Sequence, residues 1–236
     1  MPILADLSPA NETERLYALR QADILYSLQE EVFDELVALS ARLFGLPISY
    51  ITLLDTDRLH YKASYGLPLP PPAPRQNVLC AQVVRHNRVA LYHDLNAVTH
   101  TPLDAQAIAN ALAHRALFYV GAPLRTAAEH AIGTLCLVGH SPRTFSEQEQ
   151  QVLEQMATVV SRLIMLRQRC LHTPALGAAH WQRVCDLVRD EIHSLSTLVR
   201  YLLQRYGALV PVPEDVLHIL ERRLRDVQVL IEEGAD

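Results

Sequence analysis

Residues 116–139, ALFYVGAPLRTAAEHAIGTLCLVG, carry two strand-length apolar runs on either side of a polar break that holds no strong helix signal. That pattern predicts an antiparallel β-hairpin. Gly121 and Gly133 stand inside the runs, where glycine sacrifices packing and therefore marks a bulge or the close approach of another group. A second pattern of the same kind lies upstream, where PISYITLLD and RLHYKASYGLP flank Thr56-Asp57 with β-branched and aromatic residues. One antiparallel sheet accommodates both hairpins.

Helices are predicted around them. Asn11 with Glu14 has the form of a capping box opening a first helix. A second, over 29–44, places Val32, Phe33, Leu36, Val37, Leu39, Leu43 and Phe44 at helical spacing and stops at Gly45. LPLPPPAPR is too stiff and too poor in donors for helix or central strand. A short helix over 78–86 and a strand, VALYHDL, lead to a variable segment, 96–114. Ser146 with Glu149 forms a second capping box, opening a helix that runs to about Cys170. The break HTPALGAA follows.

These pieces, in this order and spacing from about Asn11 to Cys170, resemble the GAF sensory domain in its bacterial signalling form. They are NETERLYALRQADIL, FDELVALSARLFGLPISYITLLDTDRLHYKASYGLP, NVLCAQVV and FYVGAPLRTAAEHAIGTLCLVGHSPRTFSEQEQQVLEQMA. The resemblance implies an α+β fold, a six-stranded antiparallel sheet with packed helices, used for sensing a ligand or for dimerisation. It also implies a pocket to which Tyr50, Tyr61, Cys80, Asp94, Tyr119 and Thr134 contribute. It names no ligand, since fold alone does not fix function. The sequence requires no cofactor.

The C-terminal part differs in character. Trp181, Val184, Val188, Ile192, Leu195, Val199, Leu202 and Tyr206 form a near-heptad stripe ended by Gly207. Pro211 and Pro213 then start a last helix with Val216, Leu220, Val227 and Leu230 on one face. The chain is thus expected to divide into a GAF domain over 1–172 and a helical hairpin over 178–236. A lone hairpin has too little core to persist, so a homodimeric four-helix bundle is expected to bury both stripes. The hairpin loosely resembles the dimerisation and phosphoacceptor region of sensor histidine kinases, although the box H-E-[IL]-R-T-P-L is not reproduced. His193 in RDEIHSLSTLV is the residue an alternative phosphotransfer reading would use, as in a two-component system.

Several classes are disfavoured. A net charge of −5 without a basic cluster argues against nucleic acid, and no apolar run suits a membrane span or export signal. Cys80, Cys136, Cys170 and Cys185 lie far apart without C-x-x-C, which points to reduced thiols and a cytoplasmic location. Lys62, the only lysine, excludes a phosphate-binding loop and the N-K-x-F-D-E signature of cyclic-nucleotide GAF domains. It is expected on the sheet surface. His86, His93, His100 and His114 fit no metal-ligand spacing, so no metal is expected. Bilin attachment is disfavoured, because Ala81 and Gln82 follow Cys80. The expectation is a sensor module without catalysis of its own, relaying a small molecule or protein partner through the helices. A third reading is a thiol-dependent reductase of the free methionine sulfoxide type, using Cys80 or Cys136.

Overall fold

The computed structural model describes residues 9–27, 30–97, 104–173, 176–206 and 211–234. Both predicted hairpins form, as β1 (Ile48–Leu54) with β2 (Arg58–Tyr65), and β5 (Phe118–Arg125) with β6 (Ala131–Gly139). With β3 (Ala73–Pro74) and β4 (Ala90–Tyr92) they build a six-stranded antiparallel sheet ordered β3-β2-β1-β6-β5-β4. The proline-rich break supplies β3, an edge strand of two residues, where a missing N–H does least harm.

Gly133 on β6 pairs with Leu53 on β1, and a Cβ there would stand 2.0 Å from the Thr52 carbonyl oxygen. The strands meet too closely for any side chain. At Gly121 an added Cβ would meet the Tyr119 hydroxyl at 2.5 Å, so this glycine leaves room for a phenol lying along its own strand.

Alternation divides the sheet into two differently covered faces. Ile51, Leu53, Val120, Ala122, Leu135 and Leu137 pack with α2 (Glu31–Leu43) and α5 (Glu147–His172) in one core. Tyr50, Tyr61, Tyr119 and Cys136 face α3 (Cys80–His86) and α4 (Ala105–Ala113) in a second. Helix α4 falls in the segment read only as variable, where its alanines carried little periodic signal; Ala107 and Ile108 are buried.

The capping box at Ser146 forms, with Ser146 Oγ accepting the Glu149 N–H at 3.1 Å and Glu149 accepting the Ser146 N–H at 2.8 Å. Glu149, fully buried, also takes Arg143 at 2.5 Å and the Val212 N–H at 3.3 Å. The box predicted at Asn11 does not form; its amide lies 3.0 Å from His130 Nδ1. What fixes α1 (Glu12–Gln21) is Arg15, 1% exposed, which donates to the Leu54 carbonyl and pairs with Glu12 at 2.7 Å.

The hairpin forms as α6 (Gly177–Tyr206) and α7 (Glu214–Glu233), but its stripe is covered within the chain. Trp181, Val184, Val188, Ile192, Leu195 and Val199 are buried in the core that holds α2 and α5. Helix α5 touches β5, α2, α6 and α7, so it is apolar on more than the side facing the sheet. The stripe therefore needs no second chain to be buried. Gly207 lies outside the described residues.

Lys62 is also corrected. It is 5% exposed, and its ammonium donates to the Ser27 carbonyl at 2.9 Å and to the Ser27 hydroxyl. The segment before α2 covers this part of β2, which strand alternation alone does not reveal.

Candidate functional site

The sheet face toward α3 and α4 gathers five of the six residues expected at a pocket. Tyr50 on β1 and Tyr61 on β2 stack edge to face with centroids 5.1 Å apart. Tyr119 on β5, 4% exposed, donates its hydroxyl to Cys80 Sγ at 3.3 Å. Thr134 on β6, fully buried, lies 2.7 Å from Thr52 Oγ1. Asp94 does not join them. Two residues past β4 its carboxylate accepts the Asn96 N–H at 3.0 Å, an Asx turn closing the strand end.

Residue spacing gave no sign that Cys136 completes the group. Its register partners, Tyr50 on β1 and Gly121 on β5, bring it beneath α3, where its Sγ lies 3.9 Å from that of Cys80. The Cys136 thiol is the leading hydrogen-bond partner of Cys80, joined by the hydroxyls of Thr134, Tyr119 and Thr52, and together they pull the Cys80 thiol below its ordinary range against the cost of burial. The same hydrogen bond and burial push the Cys136 thiol well up. Burial, followed by the nearby thiols, raises the Tyr50 phenol to about 12 and lifts Tyr61 and Tyr119 as well. These phenols remain neutral donors at any physiological pH.

A cleft of about 390 Å³ runs beside the cluster, lined among others by Gln82, His86, Tyr92 and Asp104. Tyr92 both lines the cleft and packs on Tyr119, with ring centroids 6.1 Å apart. Burial and then Asp104 raise its phenol to about 12. Asp104, not Asp94, is the carboxylate on this approach. Sequence offered only its place ahead of the alanine-rich segment.

The sequence profile of the GAF domain matches residues 28–165, more than half of the chain. The chain belongs to the GAF domain family. Its sensory and signalling role comes with that membership.

A Pseudomonas aeruginosa protein named cyclic di-GMP phosphodiesterase is 30% identical over 213 residues, covering 89% of this chain and 33% of the relative. This GAF chain thus spans one third of the curated relative it matches. Among solved structures, the blue-light-absorbing PixJ GAF domain of Thermosynechococcus elongatus aligns with TM-score 0.50 at 16% identity, covering 70% of this chain and 96% of that one. The substrate complex of free methionine-R-sulfoxide reductase from Neisseria meningitidis aligns with TM-score 0.48 at 18% identity, covering 71% and 98%. At this identity the PixJ structure speaks for the GAF fold alone.

The relative's name corrects the expectation of a module without catalysis, since a protein matched across 89% of this chain is named as an enzyme. That expectation leaned on a missing phosphate-loop lysine and missing redox motifs.

The remaining candidates lie elsewhere in the GAF chain. His193 sits on the exposed side of α6, 3.7 Å from Glu35, which Arg189 holds at 2.9 Å. Among the described residues no cluster of three or more histidine, cysteine, aspartate or glutamate side chains could hold a metal ion, and no helix is long and apolar enough to cross a membrane.

Proposed function

We propose that this chain is a sensory GAF segment of cyclic di-GMP signalling, in which a small molecule engages the face carrying Tyr50, Tyr61, Cys80, Tyr119 and Thr134. Entry is through the cleft at Tyr92. The observation that carries the reading is that input and output sides share single strands. On β6, Cys136 belongs to the tyrosine and thiol face, whereas Leu135 and Leu137 belong to the core with α2, α5, α6 and α7. A ligand that shifts β6 or β5 therefore changes the packing of α5 and the hairpin. It acts through its differential affinity for two such packings.

The tie to cyclic di-GMP rests on the phosphodiesterase relative. Its match is longer than the GAF profile's span, so the common stretch takes in helices outside that span. The test is to graft this chain in place of the matching third of that phosphodiesterase and to measure cyclic di-GMP hydrolysis. Tyr119→Phe and Tyr61→Phe in the graft should change the rate roughly fivefold or more, the usual size of coupling between two sites. A graft that folds and hydrolyses at one rate, whatever occupies those positions, overturns the reading.

A further inference from the structure

The GAF chain carries four cysteines, all buried, and among the described residues only Cys80 and Cys136 stand in sulfur-to-sulfur contact, at 3.9 Å. They belong to different elements, Cys80 opening α3 and Cys136 lying mid-strand on β6. Hydroxyls surround them: Tyr119 of β5 donates to Cys80, and Thr134, two residues before Cys136 on β6, is hydrogen-bonded to Thr52 of β1. Such donors favour a thiolate over a thiol. Burial orders the two sulfurs, because Cys80 keeps 5% of its surface and Cys136 only 1%. Tyr92 lines the cleft at β4 and packs on Tyr119.

We propose that Cys80 and Cys136 form a hydroperoxide-responsive thiol pair that closes reversibly into a disulfide. Cys80 gives its proton to solvent, and its thiolate attacks one oxygen of the hydroperoxide. The O–O bond breaks, Cys80 becomes a sulfenic acid, and the departing alkoxide, or hydroxide from hydrogen peroxide, takes up a proton. The Cys136 sulfur then attacks the Cys80 sulfur, breaking the S–O bond. The leaving hydroxide takes the Cys136 proton and departs as water. Two thiols lose two electrons, and one hydroperoxide becomes one alcohol and one water; a dithiol returns the pair to its starting state.

The bond ties α3 to a strand whose neighbouring residues pack on α5. Oxidation thereby acts on the same sheet as the proposed ligand, although this inference stands without that reading.

The test uses the reduced full chain, exposed to hydrogen peroxide or cumene hydroperoxide, alkylated, and digested with trypsin without reduction. Arginines place each cysteine in its own peptide, 76–85 for Cys80, 126–143 for Cys136, 170–183 for Cys170 and 184–189 for Cys185. The expected product is peptide 76–85 linked to 126–143, lighter by two hydrogen atoms than the sum, with the other two cysteines alkylated. Dithiothreitol should dissolve the link. Cys136→Ser should trap Cys80 as a sulfenic acid that dimedone captures, and Tyr119→Phe should slow the first step roughly tenfold through loss of a hydrogen bond to a charged sulfur. Recovery of both peptides separately alkylated, after exposure that oxidises methionine, overturns the proposal. So does Cys80 ending as sulfinic acid in wild type without any link. Both outcomes are read from wild-type protein and need no variant to fold.

Discussion

The Trp181 indole N–H donates to the Glu30 carboxylate at 2.8 Å, joining residues 151 positions apart. The other oxygen of that carboxylate takes Arg167 of α5, and Arg167 also donates to the Asp23 carbonyl at 3.1 Å. One largely buried acid thus ties α6, α5 and the start of α2 together.

Glu30→Gln should therefore loosen the docking of α6. Arg167 would lose its carboxylate in a site where its side chain is only 11% exposed, which costs about 1–3 kcal/mol. Trp181 is the sole tryptophan, so fluorescence reports this contact alone. The expected result is a lower melting temperature with red-shifted emission. Unchanged emission would mean that Glu30 does not hold the indole.

Lys62 should give the chain an alkaline rise in stability. Burial leads in lowering its ammonium to about 8, with Arg167 adding to the effect and Glu30 and Asp34 opposing it. The unfolded chain holds this proton up to about 10.4, so between those values it binds more protons than the folded chain, and stability increases with pH. Below pH 8 the full penalty applies. Denaturation from pH 7.5 to 10.5 should show wild type gaining on the order of 2 kcal/mol relative to Lys62→Met, which lacks the group. A pH-independent difference between the two would place the ammonium in a solvated site.

The two strand glycines should respond differently to alanine. At Gly133 the new methyl meets a backbone carbonyl at 2.0 Å in the middle of the sheet, and neither strand can withdraw. A loss of about 3 kcal/mol or more is expected. At Gly121 the methyl meets the Tyr119 hydroxyl and Val83, both side chains. Gly121→Ala should cost about 1–3 kcal/mol and swing the phenol off Cys80, changing the rate at which Cys80 is alkylated. Equal losses for the two variants would contradict this geometry.

These contrasts mark what the sequence could disclose. Period-two runs, the turn at Thr56-Asp57 and the Ser146 capping box are local, and each appears where its own residues dictate. Cys80 and Tyr119 were found through family resemblance. Cys136 was named beside Cys80 for a thiol reading but left out of the pocket, because the two lie 56 positions apart and only the sheet register with α3 packed on β6 brings the sulfurs together. Lys62 and Asp94 failed for related reasons: alternation says which way a side chain points, but not which loop covers it or where a strand end turns away. The α6 stripe looks the same whether its cover is a second chain or α2 and α5.

That ambiguity yields the last prediction. Leu195, at the centre of the stripe, is 1% exposed, in the core shared with α2 and α5. Leu195→Glu must then bury an unpaired carboxylate inside its own chain. The cost is both the apolar burial of leucine, about 1.5–3 kcal/mol, and the desolvation of the charge. If a dimer seam were the main contact, the same substitution would separate chains and leave each one folded. Sedimentation and tryptophan emission distinguish the outcomes. The expected variant has red-shifted Trp181 emission and a lowered melting temperature at every protein concentration, because α6 leaves α2 and α5. A variant that keeps wild-type emission and merely halves in mass would return the stripe to a second copy of the chain.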